Sequence, residues 1–337
     1  MSADRQRLRS VVWAILALSS CLVTKRAQAQ AAAAPPTEIT VVGAPNESKR
    51  LRRSAEAVTV VDLNDARKRS SDLGEVLART QGVAVRRSGG LGSDTRIALN
   101  GLWDAQIRTF VDGVPIELVF PSGAADLPVG LIERVEIYRC VVPIRFGADA
   151  LGGAIQLVAT DRKRTGGEAS YQVGSLGTTR VAAAARVRST EGLYAEASAF
   201  GDTTRNDYSI DVEAPDAEGR PKPAHVRRFH DRYGGRGAAL EAGVIGKSWA
   251  NLLTLKGFVS SYDKQIQSDL RLAFPEGEAT RDGSTRGLTG RYAIDLPAGM
   301  QLELLGVHSR SETNRRGPER FVYDWFGKPI FEVRVPE

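Results

Sequence analysis

Residues able to do chemistry are sparse in this 337-residue sequence, which has only three histidines and two cysteines. Gly246-Lys247-Ser248 resembles the end of a phosphate loop, but the first glycine of such a loop would fall at Glu241, and the flanking residues read as a strand turn. His225 and His230 lie near Asp231, yet their spacing supplies no third ligand for a metal. Gly89-Gly90-Leu91-Gly92 lacks the dinucleotide spacing and reads as a loop. No Ser–His–Asp arrangement emerges. The sequence therefore assigns no catalytic residue, no metal and no cofactor, and the expectation is a protein that is not an enzyme.

The elements around these residues point to export. Arg5, Arg7 and Arg9 precede an apolar stretch at residues 11–23, and Ala27-Gln28-Ala29 follows as a small-residue cleavage site, so residues 1–29 read as a signal peptide. Leu18-Ser19-Ser20-Cys21 offers a second reading, a lipobox whose cysteine would be lipidated. Removing residues 1–29 takes Arg5, Arg7, Arg9, Lys25, Arg26 and Asp4, leaving 41 basic against 39 acidic residues. That balance argues against a nucleic-acid partner, which would need a clustered basic surface. Cys140 would then be alone, so stability must come from burial and strand pairing.

After an Ala/Pro-rich linker, Glu38-Ile39-Thr40-Val41-Val42-Gly43-Ala44 forms an extended segment with no turn to pair it. It is either the first strand of the next domain or a strand for addition to another protein's sheet edge. Residues 53–160 mix α and β patterns. A helix starts at Asp72, with Glu75 three residues on, and carries Leu73, Val76 and Leu77 on one face. Asp112-Gly113 suits a two-residue hairpin turn. Beyond residue 161 the pattern alternates with period two. Leu193, Ala195, Ala197 and Ala199 oppose Tyr194, Glu196 and Ser198, and Leu253, Leu255 and Val259 oppose Thr254, Lys256 and Ser260. Two-faced strands joined by short turns and a long polar loop at 202–236 suit an outer-membrane barrel, although a soluble sandwich would alternate similarly.

A series of segments in order then carries a resemblance. They are residues 38–44; Leu77-Ala78-Arg79-Thr80-Gln81-Gly82-Val83; Phe110-Val111-Asp112-Gly113-Val114-Pro115; Ile132-Glu133-Arg134-Val135-Glu136-Ile137-Tyr138-Arg139; and Arg145-Phe146-Gly147-Ala148-Asp149-Ala150-Leu151-Gly152-Gly153-Ala154-Ile155. Together these resemble the TonB box and plug domain of the TonB-dependent outer-membrane receptors. The resemblance implies a mixed α/β plug followed by antiparallel transmembrane β-barrel strands, an incomplete part of a barrel of about 22 strands. It implies domains at 1–29 (signal peptide), 30–52 (linker with the TonB box at 38–44), 53–160 (plug) and 161–337 (first part of the barrel). It also implies uptake across the Gram-negative outer membrane of a scarce nutrient such as an iron–siderophore, or of cobalamin or a carbohydrate. The partners would be TonB with its inner-membrane energising complex, the small ligand and outer-membrane lipid.

Landmarks carried over by resemblance are Asn100, Gly101, Asp112, Gly113, Glu133, Arg134, Glu136, Arg139, Gly147, Gly152 and Gly153, with the ligand contacts unassigned. Two positions depart from the family, which usually has Arg-Gly at Asn100-Gly101 and glycine at Cys140. The missing arginine removes a charge that in the family helps hold the plug to the wall. Residues 161–337 supply roughly eight strands at about ten residues each, too few to enclose a plug. The expectation is the amino-terminal portion of a transporter or a truncated product. The rival readings are a non-transporting exported binding protein or a lipoprotein lipidated at Cys21, or a receptor fragment without function.

Overall fold

The structure, a computed structural model, describes residues 58–332 apart from 64–65, 67–71, 104–105, 121–122, 124–125, 140–141, 148–149, 151, 160–164, 269–271, 273–274 and 318–319. The signal peptide, the lipobox, residues 38–44 and Cys140 lie outside the described residues.

Along the chain run β1 (Val58–Asp62), helix α1 (Leu73–Ala78), β2 (Val83–Arg87), β3 (Thr95–Leu99), β4 (Leu102–Trp103), β5 (Ile107–Val111), β6 (Val114–Pro115), β7 (Arg134–Arg139) and β8 (Gly153–Val158). One sheet has the order β1-β7-β8-β5-β6, with β5 and β8 parallel, and β2-β3-β4 form a second. Central strands β7 and β8 are buried on both faces, as strands of a covered sheet must be. Val135, Ile137, Ile155 and Leu157 pack on one side with Leu73 and Leu77. Phe110, Tyr138, Phe146 and Ala154 pack on the other.

Helix α1 begins where the cap residue places it. Asp72 Oδ1 accepts the Glu75 amide at 2.7 Å, while the Glu75 carboxylate turns to Arg79 instead of back to the cap, so only half of a capping box forms. Leu73, Val76 and Leu77 are buried, and each leucine contributes about 2 kcal/mol by leaving water.

The remaining chain builds a wall. In chain order come β9 (Gly166–Gly174), β10 (Thr178–Arg188), β11 (Leu193–Thr204), β12 (Ser209–Pro215), β13 (Pro221–Arg227), β14 (Tyr233–Lys247), β15 (Ala250–Gln265), β16 (Thr280–Asp295), β17 (Gln301–Arg316), β18 (Phe321–Tyr323) and β19 (Pro329–Glu332). Seven of them pair in the order β17-β16-β15-β14-β11-β10-β9, all antiparallel, and the sheet is open at β9 and β17 among the described residues. The expectation of eight ten-residue strands needs correction, because these run from 9 to 16 residues. Each strand continues past its apolar band into a polar rim; β15 passes from Leu255 and Val259 to Ser261 and Asp263 on the same face.

The alternation resolves into an outward face, exposed, and an inward face, covered by the mixed unit. Leu240 and Leu255 are 68% and 61% exposed, whereas their neighbours Glu241 and Thr254 are buried. The segment expected to be a polar loop at 202–236 is mostly strand. Its Ile210, Val212 and Ala214 alternate, and they pair across β12–β13 with Val226, Ala224 and Lys222. Val212, Ala214 and Val226 are then buried against Trp325 from the segment joining β18 and β19. No helix among the described residues is long and apolar enough to cross a membrane, which says nothing of strands.

Candidate functional site

The mixed unit meets the wall through a set of polar ties. Asp112 and Gly113, at φ 49° and 79°, make the β5–β6 turn. Asp112 Oδ1 accepts the Ala159 amide at 3.0 Å and Gln156 Oε1 accepts the Gly113 amide at 3.1 Å, so the turn is fixed from both sides. It projects onto β15 and β16, where Lys256 Nζ lies 3.4 Å from Asp112 Oδ2 and Arg291 donates to the Asp112 carbonyl. Ser260 donates to the Val119 carbonyl at 3.0 Å, and the Phe120 and Phe200 rings meet at 5.6 Å.

Arg180 on β10 makes a buried tie. It donates twice to Asp202, at 3.0 Å each, and once to the Asp126 carbonyl at 2.7 Å. Asp126 itself is buried, and its Oδ1 accepts the Gly92 amide at 3.1 Å. Burial pushes the Asp126 carboxyl up to about 7, against the lowering effects of that amide, Arg87 and Arg180. Near neutrality this group therefore sits between charge states.

Above the seam, at the ends of the strands that carry the long connections, a cavity of about 250 Å³ opens. Ser88, Gly92, Ser93 and Asp94 of the β2–β3 loop line one side; Arg228, Asp231, Lys264, Gln267, Ser268, Glu276, Arg281 and Arg315 of the wall and its loops line the other. Its charges are paired. Lys264 donates to Asp231 Oδ1 at 2.5 Å, Arg228 Nε lies 2.9 Å from Asp231 Oδ2, Arg281 bonds Asp94 at 3.1 Å and Arg315 bonds Glu276 at 2.8 Å. Burial raises the Asp231 carboxyl and the two cations oppose it. Gln267 is fully buried, and among the described residues neither polar atom of its amide has a hydrogen-bond partner; Ser268 Oγ also lacks one there. A ligand carrying both a donor and an acceptor would satisfy Gln267, since a buried unpaired amide costs roughly 1–3 kcal/mol.

The landmark residues separate into groups. Asn100 and Gly101, at φ 52° and 84°, turn β3 into β4, and the Asn100 amide bonds the Gly82 carbonyl at 3.0 Å, next to Arg139, which donates to Gln81. Arg134 donates to Glu136 at 2.8 Å, Tyr138 donates to Glu136 at 2.9 Å, and Arg145 donates to Tyr138 at 2.8 Å. Burial and the neighbouring Glu136 push the Tyr138 phenol above its ordinary range. Glu133 precedes this chain, with an oxygen 3.6 Å from Arg134. Gly147 ends a short turn at φ 86°, and Gly152 and Gly153 leave no room for a side chain: a Cβ at Gly153 would run into Leu99. Of these landmarks, Asp112 and Gly113 reach the wall. Arg180, Lys256 and Arg291 of the wall make polar contacts with the mixed unit.

His225 sits on exposed β13, its Nδ1 2.7 Å from Asp211, and His230 donates Nε2–H to the Ala279 carbonyl at 2.9 Å. Gly246 and Lys247 end β14, and Ser248 begins the turn into β15. Gly89-Gly90-Leu91-Gly92 is the apex loop, and Asn206 donates to the Leu91 carbonyl at 2.8 Å. Gln267, Arg180 and Lys256 carry no local sequence signal, because their partners are distant in the chain.

Residues 50–154 match the family model of the TonB-dependent receptor plug domain. Among solved structures, the chain is similar to the ferric-catecholate import receptor Fiu from E. coli K12, at 15% identity over 77% of this chain and 39% of that one, TM-score 0.55. It is similar to the ferric enterobactin receptor PfeA from Pseudomonas aeruginosa, solved as a point mutant with enterobactin, at 17% identity over 78% and 42%, TM-score 0.54. It is also similar to the FrpB iron transporter from Neisseria meningitidis, at 13% identity over 76% and 41%, TM-score 0.57. The chain thus spans about two fifths of the length of these receptors. TonB-dependent receptors are outer-membrane β-barrels. Residues 50–154 are therefore a TonB-dependent receptor plug domain, and the chain has the fold of that plug joined to the neighbouring strands of the receptors' barrel.

Proposed function

We propose that the complete receptor containing this chain imports a ferric siderophore or a similarly scarce, bulky nutrient across the outer membrane, driven through TonB. The observation that carries this reading is the seam: the plug covers the inward face of a two-faced wall and is tied to it through Arg180, Lys256, Arg291 and Ser260. A path lined by that wall stays shut while these ties hold.

Opening it means breaking several buried or part-buried polar contacts at roughly 1–3 kcal/mol each. The sequence offers no nucleotide site to supply that work. In this reading the force comes from outside the chain, through TonB pairing with Glu38, Ile39, Thr40, Val41, Val42, Gly43 and Ala44. Strand addition gives many backbone hydrogen bonds with little demand on side chains, and the Ala/Pro linker lets the segment reach out. The ligand enters at the outer cavity, where Gln267 and Ser268 offer unpaired polar groups beside the plug apex. Solved relatives are an import receptor for ferric catecholates and a receptor holding enterobactin, which favours an iron chelate over cobalamin or a carbohydrate. Export by the signal peptide and residence in the outer membrane complete the reading.

Val41→Pro in the complete receptor tests it, because proline removes a ladder donor. Uptake of a radio-iron siderophore should be lost while binding at the cell surface is kept. Unchanged uptake refutes the mechanism.

A further inference from the structure

The outward face of the wall changes character toward its outer end. Its middle rows are apolar, with Leu240, Leu255 and Leu288 all exposed. Two to four residues higher stand Arg236 on β14, Arg286 on β16 and Arg310 on β17, and all three line one groove of about 560 Å³. A second groove of about 580 Å³ shares Arg286 and Arg310 with it and runs on past Leu240, Gly257 and Leu288. Gly257 lies directly between Leu240 and Leu288 across the three strands, and its missing side chain gives that groove its depth.

The charge arrangement calls for an anion. Arg286 and Arg310 are directly opposite in the β16–β17 ladder, where like charges repel. Glu312 is the acid in the groove, and it accepts from Arg310 Nε at 2.9 Å. Arg236 donates to Ser261 at 3.1 Å, and Arg286 makes no ion pair among the described residues, which leaves two positive charges uncompensated. Arginine on a lipid-facing strand is tolerated near the interface, but clustering three there gains nothing for the fold itself. A phosphate fits the cluster, because planar guanidinium groups bind phosphate oxygens in pairs. An apolar channel leading away from that cluster fits an acyl chain.

We propose that this groove binds a phosphate-bearing membrane lipid, with its phosphate held by Arg236, Arg286 and Arg310 and an acyl chain lying along Leu240, Gly257 and Leu288. The inference rests on the outer-membrane reading above, which places this face in lipid.

The test is native mass spectrometry of the complete receptor containing this chain, extracted from the membrane in mild detergent and titrated with phosphatidic acid or with the matching diacylglycerol, which lacks the phosphate. Phosphatidic acid should remain bound and diacylglycerol should not. Arg286→Ala and Arg310→Ala should each weaken the complex about tenfold, and Arg286→Glu should abolish it. These exposed positions leave the core untouched, and an unchanged β-sheet circular dichroism spectrum checks that. Equal binding of both lipids, or binding unchanged in the variants, overturns the proposal. Displacement by inorganic phosphate as effective as by lipid overturns the lipid assignment and leaves an ion site. Recovery of the complete receptor only in the soluble fraction overturns the membrane reading itself, together with this inference.

Discussion

Asp126→Asn isolates one ionisation at the seam. Asp126 is 2% exposed, with its Oδ1 on the Gly92 amide, and Arg87 on β2, Arg180 on β10 and Asp72 at the start of α1 act on it. Burial dominates and raises its carboxyl to about 7 from an ordinary 3.8. The folded protein therefore binds the proton more tightly than the unfolded chain. Stability falls as pH rises through the window between about 4 and 7, and it levels off above the folded value. A rise of that size corresponds to about 4 kcal/mol, present as a penalty at about pH 8 and reduced to about 1.5 kcal/mol at about pH 5. Asparagine keeps the acceptor for Gly92 and removes the charge. In urea unfolding of the chain in detergent micelles, followed by tryptophan fluorescence, the variant should exceed the parent by about 4 kcal/mol at about pH 8. The gain should shrink by more than half at about pH 5. Other titrating groups are common to both proteins and cancel in the comparison. A variant no more stable than the parent at high pH, or a difference independent of pH, refutes the reasoning.

Other perturbations of the seam have equally definite outcomes. Arg180→Ala strands Asp202, whose side chain is fully buried, and should cost roughly 3–5 kcal/mol in the same urea assay. Replacing both partners, Arg180→Met with Asp202→Leu, should recover most of that loss. Gly92→Ala would drive a Cβ into the buried Tyr233 ring at a backbone φ of +78°, and it should lower stability by roughly 2–3 kcal/mol in the same urea assay. Lys256→Met leaves the Asp112 carboxylate without that ion pair, so amide exchange across the β5–β6 turn should quicken while the outer strands stay unchanged.

Local rules were legible in the sequence wherever one element supplies its own signal. Asp72 marked the helix start, Asp112-Gly113 marked the turn, and the two faces of β11 and β15 could be assigned residue by residue. Strand length was not legible, because polar rim residues such as Ser261 and Asp263 continue a ladder without any apolar signal. The β12–β13 hairpin was hidden for a related reason: its polar alternation looks like a loop until Trp325, about a hundred residues away, covers Val212 and Val226. The seam and the cavity were the least legible. Arg180 meets Asp126 54 positions away, and Lys256 meets Asp112 144 positions away, so only the folded topology brings them together. Gln267 is likewise an ordinary glutamine of the connection after β15 until burial removes its water.

The claim that the plug must leave the wall for transport is tested most directly by locking it there. Gly130, in the turn before β7, faces Ala182 on β10, and a Cβ at Gly130 would lie 3.7 Å from that of Ala182, within disulfide range. With Cys140 replaced by serine in the complete receptor, Gly130→Cys and Ala182→Cys should close a bridge on oxidation. The oxidised receptor is expected to bind radio-iron siderophore at the cell surface and import none, with uptake restored by a reductant. Import by the oxidised protein at the rate of the reduced one would contradict the claim.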